Sequence, residues 1–341
     1  MATGRAYGGK EFDVRIGIQD ISETNLGSQP GTDGHMLTPV KYRLNSLNDI
    51  AWDEGYQRTE LSRAGTRFKR EEDIINHYGS GIWTWDFDWT VDNEVGVQNL
   101  LDLIYPESTN GAASTSGFII PIDPTVDEMK HGQSTGRNNV GCIIIKNPDD
   151  DEDRFMHSAV LQTLTLSMDA GTNGGIMNAS GQFMSGYKPG IGDYDTMMAS
   201  PSIASDYQKG LFDITSHAFG GNDISLKAFS LTFSNSATRV GFQGSSGEAD
   251  GYSRAGEFGV TGSITIKADD TAMGLINSWQ SNTVQSLDLS DGSNFSFLIP
   301  KCNMSGHNLD MADEGVFVEI PFTVTSGPDG SGTVPITIKM T

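Results

Sequence analysis

An alternating aromatic run followed at once by a short amphipathic helix is the feature that most constrains this chain. From Gly79 to Ile104 the sequence reads GSGIWTWDFDWTVDNEVGVQNLLDLI. Trp83, Trp85, Phe87 and Trp89 alternate with Thr84, Asp86 and Asp88, the period of a strand with one buried face. Val97, Leu100, Leu101 and Ile104 then recur at i, i+3, i+4 and i+7, one stripe of a helix, and Pro106 stops it. The plan returns in Gly262 to Trp279, GSITIKADDTAMGLINSW. There Ile264 and Ile266 alternate with Ser263, Thr265 and Lys267, and Ala272, Leu275, Ile276 and Trp279 repeat the helical stripe. A strand and short helix that occur twice predict a duplicated domain, and 341 residues leave room for two cores.

The intervening composition is that of a β protein. Glycine supplies 41 residues and charged side chains only 19%, so long helix-forming runs are scarce. Ser, Thr, Val, Ile and aromatics cluster between Gly and Asp turn residues. The formal net charge of −22 is unevenly spread: residues 1–70 carry 10 basic and 9 acidic side chains, residues 71–341 carry 12 and 35. Such a surface repels nucleic-acid phosphates; general solubility in a salty medium is the competing account of it. Cys142 and Cys302 are too few for a disulfide scaffold and are expected as buried free thiols. The N-terminal MATGRAYGGKEFDV lacks a signal-peptide core, and no window reaches the ~18 apolar residues of a membrane span. The expectation is a soluble product of a cytoplasm, with no membrane insertion.

In chain order, residues 1–38 read as an N-terminal arm with one strand candidate, Phe12 to Ile18. Residues 39–190 read as a first β domain, opening on Val40 to Leu47 and carrying an inserted loop at 107–139. Its strands include Gly141 to Lys146, Ala159 to Asp169 and Ile176 to Met184, the last two joined by a Gly-rich hairpin turn, Ala170 to Gly174. Residues 191–210 read as a linker and 211–341 as a second β domain, with strands at Ile224 to Ser234, Phe295 to Met304 and Gly315 to Thr325. The polar stretch Asn48 to Tyr78 reads as a long loop. It holds the chain's one basic cluster, Arg58, Arg63, Arg67, Lys69 and Arg70, a candidate for contacts between subunits or rings because it can meet acidic surface on a neighbour.

Candidate chemistry is weak by comparison. Gly132-Gln133-Ser134-Thr135-Gly136 matches G-x-S-x-G but has a polar loop before it and a strand after it, the wrong context for a nucleophile elbow. His35, His77, His131, His157, His217 and His307 lie singly, without zinc-ligand spacing. Asp149 to Asp153 lacks the order of a calcium loop and reads as a solvated turn. There is no phosphate or dinucleotide fingerprint. Trp83, Trp85 and Trp89 would make a sugar platform only if exposed, and their alternation places them in a core. No catalytic, cofactor-binding or metal residue is assigned, and no enzyme is expected; an acidic carbohydrate-binding protein or enzyme is the alternative from another class.

The ordered set of features resembles the tail tube proteins of long-tailed bacterial and archaeal viruses, in the group where one chain carries two tube-type β domains. The resembling residues are the two strand-plus-helix units, the hairpin LQTLTLSMDAGTNGGIMNASGQFMSG from Leu161, and the closing IPKCNMSGHN and GVFVEIPFTVTSG. The insertion from Glu107 to Asn139 and the arm depart from that pattern. The resemblance implies a mainly β chain: two tandem tube-type β-sandwich or barrel domains, each with a short flanking helix. It implies a structural virion protein of the tail, assembled in the host cytoplasm, whose stacked rings conduct DNA. Two domains per chain imply a pseudo-sixfold ring of three chains, with six full chains as the alternative. Implied partners are further copies of the chain and the tape measure, tail terminator and baseplate proteins, with double-stranded DNA in non-specific transit. Another β-rich tail component, a terminator or baseplate protein, is the alternative role.

Overall fold

The computed structural model describes residues 13–19, 36–42, 56–61, 68, 71–78, 82–104, 118–120, 140–146, 153–192, 209–241, 248–254, 256, 258–312, 315–325 and 336–340. The first half of the chain runs β1 (Asp13–Gln19), β2 (Met36–Tyr42), β3 (Tyr56–Glu60), β4 (Ile74–Tyr78), β5 (Trp83–Thr90), α1 (Glu94–Ile104), β6 (Phe118–Ile120), β7 (Val140–Lys146), β8 (Asp153–Asp169), β9 (Asn178–Ser185) and β10 (Gly190–Gly192). The second half runs β11 (Ser216–Phe219), β12 (Asn222–Asp223), β13 (Leu226–Ser234), β14 (Ala237–Val240), β15 (Gly251–Arg254), β16 (Gly259–Lys267), α2 (Asp270–Gln280), β17 (Gln285–Ser290), β18 (Phe295–Met304), β19 (Asn308–Ala312), β20 (Gly315–Val324) and β21 (Ile336–Met340). The protein is therefore mainly β, with two α-helices among the described residues.

The aromatic run becomes β5, and its alternation is obeyed: Trp83, Trp85 and Trp89 are fully buried, and Phe87 nearly so. Each such ring removes about 150–250 Å² from water, worth roughly 4–6 kcal/mol before conformational entropy is set against it. On the opposite face the amides of Gln182 and Asn178 on β9 donate to Asp86 and Asp88 across the ladder. Both helices start on a side-chain cap. Asn93 Oδ1 accepts from Gly96 N at 3.3 Å, and Asp269 Oδ1 accepts from Thr271 N and Ala272 N at 3.0 and 3.1 Å, each cap typically contributing ~1 kcal/mol. The helical stripes bury Val97, Leu100, Leu101 and Ile104 in α1, and Ala272, Leu275 and Ile276 in α2.

The strand order repeats. In the first half β5 pairs with β9, β9 with β8 and β8 with β7; in the second, β16 pairs with β20, β20 with β18 and β18 with β17, all antiparallel. Strand β1 flanks β7 as β11 flanks β17. The long β8 corresponds to β18 and β19 together. The β8–β9 ladder slips by one residue between Leu161 and Thr163, and the β20 ladder slips by one between Met304 and Asn308. Before each strand-plus-helix unit stands a detached two-stranded hairpin, β3–β4 or β14–β15.

The structure adds three things to the sequence reading. Where Asn48 to Tyr78 reads as a loop, β3 and β4 form a hairpin; YQRTE and IINHY carry no apolar–polar alternation in sequence that would announce them. The strand candidate inside the expected arm is β1, paired on both sides by β2 and β7. The insertion contributes β6, which pairs with β21 near the far end of the chain. Residues from both halves share one apolar core.

Candidate assembly interface

The halves are joined by a sheet seam. The C-terminal part of β8, Thr163 to Asp169, takes β13 along its outer edge, from Thr163 opposite Ser234 to Asp169 opposite Ala228. Leu164 and Leu166 are wholly buried there, beside Phe233 and Leu231, and Thr165 and Thr232 share a hydroxyl hydrogen bond of 2.9 Å. At the upper end the bulge residue Gln162 clamps the strand. Its carbonyl accepts from Asn235 N at 2.7 Å, and its Nε2 donates to Ala237 O at 3.0 Å.

The β14–β15 hairpin then folds over onto the first half. Tyr252 Oη donates to Ser158 O at 2.5 Å and accepts from Gly186 N at 2.8 Å. Ala249 N donates to Gly186 O at 2.8 Å. Gly186 is required by close approach: a Cβ there would stand 2.6 Å from the Ala249 Cβ. Ser158 adopts a left-handed φ of 50°, a cost of order 1–3 kcal/mol that its surroundings must hold. Its N–H donates to Gln19 Oε1 at 2.6 Å while its carbonyl takes the Tyr252 hydroxyl. His157 lies beside it, stacked on Phe155 and tilted against Tyr187, with Ser185 Oγ donating to the His157 carbonyl at 2.8 Å. Burial lowers the His157 pKa from 6.5 to about 4, against a backbone hydrogen bond with Lys188 that raises it. Burial, then the negative Asp250 and Glu248, push Tyr187 up to about 12; burial pushes the Tyr252 phenol well above its ordinary value. The seam is an apolar ladder with a buried, uncharged polar knot at one end.

The matching edge in the second half is bare. Strand β19 pairs with β20 on one side and with no strand on the other among the described residues. Leu309 and Met311, the second and fourth paired residues past the slip as Leu164 and Leu166 are in β8, are 58% and 79% exposed. His307, at the slip where β8 has Gln162, packs in a T-shaped arrangement with Trp279, and its Nδ1 is buried with no hydrogen-bond partner among the described residues.

Of the basic cluster, Arg58 lies on β3, exposed and paired with Glu60 at 2.9 Å. Arg63, Arg67, Lys69 and Arg70 lie outside the described residues, as do the G-x-S-x-G stretch, Asp149 to Glu152, His35 and His131. The tryptophans of β5 are in the core, so they offer no sugar platform. Cys142 and Cys302 are buried free thiols, Cys142 raised well above its ordinary pKa by burial and Cys302 pushed up to about 12 for the same reason. A cavity of about 340 Å³ between β8, β9 and β13 is lined by Asp88 and Asp169 among others. Asp169 accepts from the turn N–H of Gly171 and Asp88 from Asn178, so both acids serve the local fold. Among the described residues no three His, Cys, Asp or Glu side chains gather to hold a metal, and no helix is long and apolar enough to cross a membrane. The seam and its clamp were beyond reach of local sequence patterns, since Ser158, Gly186 and Tyr252 meet only through the register of β8 with β13.

The chain is β-rich, its halves join edge to edge, and among the described residues β19 in the second half leaves one edge without a strand, an architecture of the structural β class. Residues 63–326 match the family model of the phage tail tube protein, and the chain belongs to that family. Among curated proteins, no sequence matches it.

Proposed function

We propose that the chain is the repeating subunit of a viral tail tube, closing into rings of three that stack into a conduit for genome DNA. Family membership supports the structural role. The single observation that carries ring closure is the seam: β8 and β13 join the halves, and β19 offers the same edge again with no described strand on it. The repeated strand order supports an internal duplication, with residues 39–190 and 211–341 as two tube-type domains and 191–210 between them. Two equivalent units per chain make a pseudo-sixfold ring from three chains, a closed cyclic assembly in which every edge is paired. The remaining partners follow from a tail tube's place in the virion: the tape measure inside the tube, the terminator and baseplate at its ends, and double-stranded DNA in passage. Assembly takes place in the host cytoplasm, and no catalysis is part of the role.

Native mass spectrometry of purified rings, with a cryo-EM cross-section, tests this. The expected mass is three chains. Six chains per ring would remove the second domain from the ring wall, and persistent monomers at high concentration would sink the tube subunit itself.

A further inference from the structure

We propose that the corner of β18 and β19, from His307 to Met311, receives the β3–β4 hairpin of a second copy of this chain. The inference rests on the ring reading above and assigns the two mating surfaces that it leaves open.

The template lies within the chain. The β14–β15 hairpin, which follows β13 and precedes β16, seats on the first half where β8 slips by one residue. It is anchored there by Gln162 Nε2 to Ala237 O and by Tyr252 Oη to Ser158 O. The β3–β4 hairpin holds the same place in chain order, ahead of β5, and no other described strand pairs with it. Leu61, Phe68 and Ile75 on it are exposed.

The second half holds a seat without a hairpin. At the equivalent slip, the buried Nδ1 of His307 faces no hydrogen-bond partner among the described residues, where Gln162 makes its bond to the docked hairpin. Beyond it, Leu309 and Met311 stand in water at the positions where Leu164 and Leu166 are covered. Charge selects the same pairing. In sequence order Asp310 lies on β19 and is followed by Asp313 and Glu314, while Arg58 lies on β3 and Arg63, Arg67, Lys69 and Arg70 fall between β3 and β4, so these two stretches of chain are opposite in charge and attract over a distance. Within the chain the β3–β4 hairpin pairs with no other described strand, and the in-chain seam is made by the second hairpin. A head-to-tail contact between copies satisfies both surfaces, and such a contact closes into a ring.

Two variants test it. The seat variant carries Leu309→Lys and Met311→Lys, and the hairpin variant carries Leu61→Lys and Ile75→Lys. All four side chains are exposed, so thermal unfolding should stay near that of the wild type. Alone, each variant should lose rings at least tenfold in native mass spectrometry and run as a folded monomer. Mixed in equal amounts, they should form one-to-one heterodimers that do not close, because only one hairpin and one seat remain intact between them. Met273→Lys, on the exposed side of α2, should leave rings unchanged. Rings from either variant alone, free rings that merely fail to stack, or a mixture that stays monomeric would each overturn the assignment while wild-type rings keep the tube reading standing. A wild type without rings would remove both.

Discussion

His157 sits neutral in the polar knot of the seam, and its titration should be felt in the stability of the whole protein. Its folded pKa, about 4, lies below the unfolded value of 6.5. Below pH 6.5 the unfolded chain therefore binds a proton that the folded chain refuses. The stability held by the neutral ring is complete above pH 6.5 and is lost as pH falls toward 4, roughly 3 kcal/mol across that window. His157→Gln should flatten this dependence: urea midpoints measured between pH 6.5 and 5 should decline for the wild type and stay level for the variant. Parallel slopes would mean that the ring titrates normally. At this scale the sequence was legible where a local period governs. The alternation of Trp83, Trp85, Phe87 and Trp89 places them in the core without help from elsewhere. His157 looked like any of six solitary histidines, because what buries it includes Tyr187 and a hairpin bearing Tyr252, far along the chain. The left-handed Ser158 gave no signal either, since its conformation is held by Gln19 and Tyr252 and not by its neighbours in sequence.

Among the elements, the two strand-plus-helix units were readable because strand period and helical stripe are both local; their caps, Asn93 and Asp269, came from the structure. The β3–β4 hairpin was not, because its five-residue strands, YQRTE and IINHY, carry no apolar–polar alternation. Its basic cluster still argues for contact with a neighbour. Exposed ion pairs are worth about 0–1 kcal/mol each, so loss of one Arg should change little. Reversal of Arg63, Arg67 and Arg70 together to Glu should block tube formation and leave folded protomers, scored by negative-stain microscopy and far-UV circular dichroism. Normal tubes from the triple variant would refute the contact. Strand β8 shows how far one element can reach: it serves β7 and β10 with one part and β13 with the other, and β9 pairs along its middle and C-terminal part.

On the scale of the whole molecule, fold class was legible, because it follows from element type. The seam was not, because strand pairing between halves depends on register across more than sixty residues, Thr165 with Thr232 for one. Charge is a whole-molecule property as well. With 12 basic and 35 acidic side chains in residues 71–341, the wall of the assembled tube facing DNA should be net negative, so that phosphates slide without releasing counterions to bind. A cryo-EM map of the tube checks this by the inward-facing side chains. A net excess of Lys and Arg there would end the low-friction account. On the proposed ring of three, carrying one seam inside each chain would also change how rings nucleate. In a ring of three, half of the six seams are intramolecular and form at an effective concentration set by the chain itself. Ring formation then depends on the third power of protomer concentration where six separate single-domain subunits would face the sixth, so tubes can begin at subunit levels too dilute for a sixfold encounter.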